Sequence, residues 1–508
     1  MTVQHEPSGT GTAQSTAAFD SGMEQPHSAG TDAASQIKPE EVVFTLRAPP
    51  ESGGYLVYSV TENPSSEDGK PFSLSVVHVL HLTEDSPLLK DLLLDQAAIP
   101  PTHLQAPRQV QVVVSTRSGL RLAPPVYEHV LRPLLAAVGL EPEAGSGNGT
   151  GYRVRVTTSP NTIRDLARDL GRTAHPEDHT IILLSGDGGV VDFLNGLDHA
   201  SPTTPPPPPT IALLPLGTAN ALFHSLHKPH YTTSPHPSPL VLSLRTLLLK
   251  GTPRPLPTFR ATFSPGAKLI SAPSDPDPAA PHGDGTTNNP TSNDEEEENE
   301  NTPHLIGAVV ASYGFHATLV WASDTPTYRK HGAARFGMAA AELLKEAHVY
   351  EAGVDVRFAS SPTGGGGEDV EDGEEGWTRL RGEGKEHEEG GREGLSYVLA
   401  TLVSNLEKEF AISPAGRPLD GNLRVVWFGG VGGGRTMQIM QAAYRGGEHV
   451  GMEEVGYREV EEVRVVVNEE EARWRKVCVD GSIVEVERGG WMKVKREEVE
   501  AGRLRVLL

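Results

Sequence analysis

The sequence predicts an α/β protein: a doubly wound parallel-sheet domain followed by a β-rich second domain. Short β-branched and aliphatic runs alternate with amphipathic helical stretches across residues 108–250, the pattern of a parallel sheet with helices on both faces. Two of those runs empty into glycine-bearing loops, Ser185-Gly186-Asp187-Gly188-Gly189 and Pro215-Leu216-Gly217-Thr218-Ala219-Asn220, at strand ends where open α/β sheets bind ligands. From residue 305 onward the alternation gives way to short strands separated by Gly and Pro.

Val110 to Ser115 is a continuous β-branched run and predicts a buried strand, with Ser118-Gly119 as the turn after it. Pro125 to Val138 carries Val126, Val130, Leu131, Leu134, Leu135 and Val138 at helical spacing. Tyr152 to Thr157 is the second strand. Ser159 then caps a helix with Pro160 in its first turn, Ile163, Leu166 and Leu170 on its apolar face, and Gly171 as its stop. Thr180 to Leu184 and Ile211 to Leu214 are the third and fourth strands. In the second domain one long helix is expected from Ala333 to His348. Strands are expected at Tyr397–Ser404, Leu423–Phe428, Glu462–Asn468, Arg475–Val479 and Ile483–Val486, with a short helix at Met437–Tyr444.

The remaining segments bound the domains at 108–250 and 305–508. Residues 1–40 read as a disordered tail without the basic start and apolar core of a signal peptide. Residues 41–100 form a small β-rich region. Residues 251–304, with the run Asp294 to Glu300, read as a disordered acidic insertion, and 361–394 as a Gly/Glu-rich insertion inside the second domain. The formal charge of −23 argues against nucleic acid as a partner, because a phosphate backbone demands basic surface. The single cysteine, Cys478, excludes an internal disulfide and a thiolate zinc site, and suits a reducing, cytoplasmic compartment. No apolar run is long and clean enough to span a bilayer, so any membrane contact is expected to be peripheral.

Gly186 and Gly188 flank Asp187 directly after an apolar strand, which lets backbone N–H groups close on an anion. Neither loop fits the dinucleotide or Walker patterns, but two such loops side by side make a polyphosphate cradle. Gly429 to Gly434 is not a second cradle, since no Lys-Ser or Lys-Thr follows.

In order and separation, the two loops resemble the nucleotide loops of the lipid-kinase superfamily that contains diacylglycerol kinase catalytic domains and sphingosine kinases. The likeness extends through Tyr313-Gly314-Phe315-His316-Ala317, Tyr328-Arg329-Lys330, Ala334-Arg335-Phe336-Gly337, Phe410 to Pro414, Pro418 to Gly421 and Val477-Cys478-Val479-Asp480-Gly481, covering roughly residues 108 to 495. It implies a nucleotide domain like those of NAD and diacylglycerol kinases and an ATP-dependent, Mg²⁺-dependent kinase. Its substrate would be a lipid, a sphingoid base or diacylglycerol, taken from a membrane at the protein's periphery.

The resemblance also implies site residues. Asp187 would orient or deprotonate the lipid hydroxyl, or else hold its own turn through neighbouring N–H groups. Ser185, Gly186, Gly188, Gly189, Gly217, Thr218 and Asn220 would bind phosphates, with helix capping as the other role open to Thr218 and Asn220. Arg329 and Arg335 would reach the phosphates, or form a surface pair. Asp480 would contact the nucleotide and hold Mg²⁺ through water, or simply occupy a hairpin turn. Departures from the family pattern fall in the first loop, where Ser115-Thr116-Arg117-Ser118-Gly119 lacks the usual Asn and Pro, at Gly189, and at Ser482. Thr318 and Val320, with Asp324 near, stand where sphingosine kinases carry acidic residues that meet an amine, which leans toward a neutral lipid such as diacylglycerol or an unfamiliar one, whereas the likeness of 305–495 favours the sphingosine-kinase branch. A catalytically degenerate lipid- or nucleotide-binding protein, and an NAD kinase, remain the other readings.

Overall fold

Four aliphatic runs become the parallel core of one sheet: β1 (Gln109–Val114), β2 (Gly151–Val156), β3 (His179–Ser185) and β4 (Thr210–Pro215). The computed structural model describes residues 27–29, 37–63, 71–95, 99–143, 151–172, 178–198, 207–231, 234–270, 302–359, 372–373, 376–381, 394–498 and 502–508. The spatial order is β4-β3-β1-β2, so the chain reverses direction across the sheet between β1 and β3. The loops after β1 and β3 therefore open at the switch point, where such sheets hold their ligands.

Successive side chains along each strand serve opposite faces. Ile181, Leu183 and Ile211 pack with helices α1 (Thr162–Arg172), α2 (Asp187–Asp198) and α3 (Ala221–His227), and this core runs on into the second domain. Ile182, Leu184, Ala212 and Leu214 face the other way, onto the helical segments 123–137 and 239–250. The expected doubly wound arrangement is present. Helix α1 begins at Thr162 rather than at Pro160. Thr162 Oγ1 accepts the N–H groups of Thr158 and Ser159, and Gly171 stays inside the helix.

The second domain is a strongly bent antiparallel sheet system carrying helices α4 (Phe315–Ala322), α5 (Ala334–Glu346) and α6 (Gly433–Ala443). Several expected boundaries are corrected. Residues 253–270, assigned to the acidic insertion, contribute three strands: Pro253–Pro255, Phe259–Phe263 and Lys268–Ile270. The middle one alternates strictly, with Phe259, Ala261 and Phe263 buried, so its period of two outweighs the polar tract beside it. The acidic run itself lies outside the described residues. Within the 361–394 segment, Trp377–Arg379 pairs with Ala352–Phe358 and buries Trp377. The final strand, Arg505–Leu507, leaves the second domain and pairs in parallel with β4, where Val506 and Leu507 are buried.

The amino-terminal strands Val42–Arg47, Tyr55–Glu62 and Phe72–Val79 form an antiparallel sheet as expected. It is not a free module, because Phe44 and Leu46 share a core with Leu244 and Leu247 of the nucleotide domain. His27–Ala29, inside the segment expected to be a disordered tail, adds a short parallel strand along Val77–Val79. Most of that tail lies outside the described residues. Among the described residues no helix is long and apolar enough to cross a membrane.

Candidate functional site

The two glycine loops meet backbone to backbone. A Cβ on Gly217 would lie 2.3 Å from the Gly186 Cα, and one on Gly186 would lie 2.7 Å from the Gly217 Cα. Only glycine at both positions permits that approach, and it gathers the N–H groups of both loops at one point. The first loop closes on the same place: Gly119 has φ +49°, and a Cβ there would strike the Leu216 carbonyl oxygen at 2.5 Å.

Asp187 ties the loops together. It opens α2, and its carboxylate oxygens accept the N–H groups of Ala221 at 2.8 Å and Leu222 at 3.0 Å, capping α3 from a different strand. Burial pushes its carboxyl pKa up, while those amides pull it down. Asn220 does not cap α3. It sits at φ +54° and folds back on its own loop, with Oδ1 accepting the Gly217 N–H and Nδ2 donating to the Gly217 carbonyl. Thr218 lines the cleft between them.

Three hydroxyls form a chain across the sheet end: Ser115 to Ser118 at 2.8 Å and Ser118 to Ser185 at 2.9 Å. A Cβ on Gly189 would lie 2.6 Å from Ser185 Oγ, so the serine at one position requires the glycine at the other. Gly188 has no neighbour within 4 Å of its would-be Cβ and presents its backbone to the cleft.

Asp480 is buried in a two-residue hairpin turn, with Asp480 at φ +48° and Gly481 at +91°. Its oxygens accept the N–H groups of Ala308 (2.6 Å), Val309 (3.0 Å) and Val310 (2.5 Å). Burial pushes its pKa up to about 7, against those three amides and assisted by the Asp187 charge. The hairpin role is present, and it brings the Asp480 carboxylate to the wall of the same cleft. Arg329 and Arg335 line that wall too, each paired with Asp324, at 2.6 and 2.8 Å. Arg335 Nε is buried without a hydrogen-bond partner, and burial holds its guanidinium pKa down against the Asp324 charge.

All eleven residues named from the sequence are thus gathered around the sheet end, all but Asn220 lining one cavity of about 1220 Å³. Sequence reasoning missed other members. Arg164 and Asp192 pair at 3.4 Å on adjoining helices, and burial pushes Asp192 up to about 6. His316, hydrogen-bonded to Ser312 Oγ at 2.8 Å, is driven down to about 4 by burial and stays neutral. The Ser115–Ser118 pair was visible only as an unusual first loop. The second domain also lines the cavity with apolar side chains, Leu319, Trp321, Phe336, Leu344, Phe410 and Met440, among its polar ones.

Residues 111–247 match the diacylglycerol kinase catalytic domain. The chain therefore carries a kinase-type catalytic domain. No curated protein matches the chain. Among solved structures, a candidate diacylglycerol kinase from Bacillus anthracis str. Sterne is 13% identical with a TM-score of 0.46, over 78% of this chain and 94% of that one. A diacylglycerol kinase from the same organism is 11% identical with a TM-score of 0.41, over 78% and 96% of the two chains. Yeast NADH kinase complexed with NADH is 9% identical with a TM-score of 0.32, over 80% and 87%.

Proposed function

We infer that this protein is an ATP-dependent lipid kinase that transfers the γ-phosphate of ATP to a lipid hydroxyl. The observation that carries the reading is that one cavity is lined both by the polar cradle of the glycine loops and by a set of apolar side chains from the second domain. A nucleoside triphosphate needs the first and a lipid chain needs the second.

In this reading the backbone of the 186–188 and 218–219 segments, the Ser118–Ser185 hydroxyls, Arg329 and Arg335 hold the phosphates, while the Gly217 and Gly189 N–H groups hold the loops themselves. Asp187 orients the lipid hydroxyl and takes its proton: each carboxylate oxygen accepts one amide N–H and retains acceptor capacity, and the residue lines the cavity. Burial raises its basicity, which suits the task. Mg²⁺, when bound, would neutralise charge on the phosphates. Among the described residues no three potential ligands cluster, so it would be held by the phosphates and by water on Asp480 or Asp187.

A neutral glycerolipid such as diacylglycerol is favoured over a sphingoid base. Asp324, the carboxylate nearest the segment expected to meet an amine, is already shared by two arginines, and Thr318 is occupied by the Tyr350 hydroxyl. The reading includes peripheral contact with a membrane. Tyr444, at 49% exposure, lines the cavity, while the exposed Leu120 (61%) and Met338 (42%) adjoin the lining residues Gly119 and Gly337 in sequence, with the cations Arg117 and Arg121 within three residues of Leu120. The test is phosphorylation of diacylglycerol and sphingosine presented in mixed micelles. Labelled phosphatidic acid would support the reading, and no labelled lipid from either would sink it.

A further inference from the structure

Both helices that spring from the glycine loops end in a buried polar side chain that grips one backbone residue of the second domain by donor and acceptor together. On α2, Asn195 Nδ2 donates to the Ile306 carbonyl at 2.9 Å while Oδ1 accepts the Ile306 N–H at 2.9 Å. On α3, Ser225 Oγ donates to the Asn405 carbonyl at 3.1 Å and accepts the Asn405 N–H at 2.9 Å. Each gripped segment then runs into the cavity wall. Ile306 leads to Val309 and Val310, beside the amides that hold Asp480; Asn405 leads to Leu406, Glu407 and Phe410.

The opposite ends of the same helices hold the reaction centre. Asp187 is the first residue of α2, and Ala221 and Leu222, which bind its carboxylate, open α3. Helix α2 is a rigid spacer, about 12 Å long over the eight residue steps from Asp187 to Asn195. Its far end is reinforced by Asp198, which binds Arg260 at 3.1 Å, His304 at 2.5 Å and Arg503 at 2.5 Å. Gly196 keeps α2 against α1, since a Cβ there would lie 2.3 Å from the Arg164 carbonyl oxygen. Side-chain clasps on backbone groups fix position along the strand as well as distance, which a hydrophobic contact does not do.

We propose that Asn195 and Ser225 are positioning residues that hold the lipid-binding wall in register with Asp187 and the phosphate loops, so that the acceptor hydroxyl, not water, receives the phosphoryl group. This rests on the lipid-kinase reading. Neither residue lies in the cavity, so both act through the segments they hold.

The experiment compares full-length wild type, Ser225→Ala, Ser225→Thr and Asn195→Asp for ATP affinity, lipid phosphorylation in micelles and ATP hydrolysis. The expected result is unchanged ATP affinity and hydrolysis, with the ratio of lipid phosphorylated to ATP hydrolysed lowered about tenfold or more in Ser225→Ala and Asn195→Asp and restored by Ser225→Thr. Wild-type ratios in both loss variants, or lipid transfer and hydrolysis falling by the same factor, would overturn the proposal. If the wild type labels no lipid, the kinase reading fails first. The positioning role is then judged from the distance distribution between spin labels at Glu128→Cys and Arg458→Cys, one in each domain. Broadening in Ser225→Ala upholds it, and an unchanged distribution overturns it.

Discussion

Replacing Gly217 with Ala tests the cradle at its tightest point. The added methyl carbon would start 2.3 Å from the Gly186 Cα, 2.9 Å from Asn220 Oδ1 and 3.1 Å from the Gly186 nitrogen. Two carbons rest at about 3.5 Å or more, so the loops must part by roughly 1 Å. The nearest neighbour is backbone, and the Asn220 side chain is held in place by its two hydrogen bonds to the Gly217 backbone. Overpacking of this kind costs about 1–3 kcal/mol, and at 1.4 kcal/mol per decade the nucleotide affinity should fall about 5- to 100-fold if binding needs the loops closed. Gly217 has no positive φ, so the effect reports crowding and not backbone strain. Gly188→Ala is the internal control: nothing lies within 4 Å of its Cβ, and alanine inside α2 should leave the melting temperature unchanged or slightly raised. The assay is calorimetric titration with Mg·ATP beside thermal melts of both variants. Wild-type affinity in a folded Gly217→Ala protein would refute the closed-cradle reasoning.

Other consequences are as direct. Asp187→Asn keeps one acceptor for the α3 amides and should still fold, while lipid phosphorylation falls about 10²- to 10⁴-fold in an end-point labelling assay. Arg335→Ala removes a guanidinium from the cavity lining and should raise the KM for ATP about tenfold, with a smaller change in kcat, in steady-state kinetics. Asp480 binds its proton more tightly in the folded chain than in the unfolded one, so its contribution to stability is present below about pH 4 and is lost as pH rises through about 7. Melts from pH 4 to 8 should slope down in the wild type and more weakly in Asp480→Asn, whose overall stability is lower because a buried amide N–H loses its acceptor. An identical slope in both proteins would contradict that assignment.

The parallel sheet and its glycine loops were legible in the sequence because their signals are local. A β-branched run, a glycine pair and an amphipathic helix each lie within a dozen residues. What joined them was not legible. Asp187 meets Ala221 and Leu222 across 34 and 35 residues, and Asn195 meets Ile306 across 111. No periodicity records contacts of that separation. The segment 253–270 was misassigned because its short alternating strands adjoin an acidic, proline-rich tract whose composition dominates any window that includes them. The return of Arg505–Leu507 to the first sheet was hidden for a different reason: three residues carry too little pattern to show a partner. The Ser185–Gly189 exchange became intelligible only when the missing side chain at 189 was seen to be the space the serine hydroxyl uses.

The most direct test of the central claim is transfer of labelled γ-phosphate from Mg·ATP to diacylglycerol, sphingosine and ceramide in mixed micelles, with Asp187→Asn measured in parallel. Label in diacylglycerol, lost in the variant, is the predicted result. ATP bound with normal affinity while no lipid acquires label would contradict it and leave a nucleotide-binding protein without lipid kinase activity.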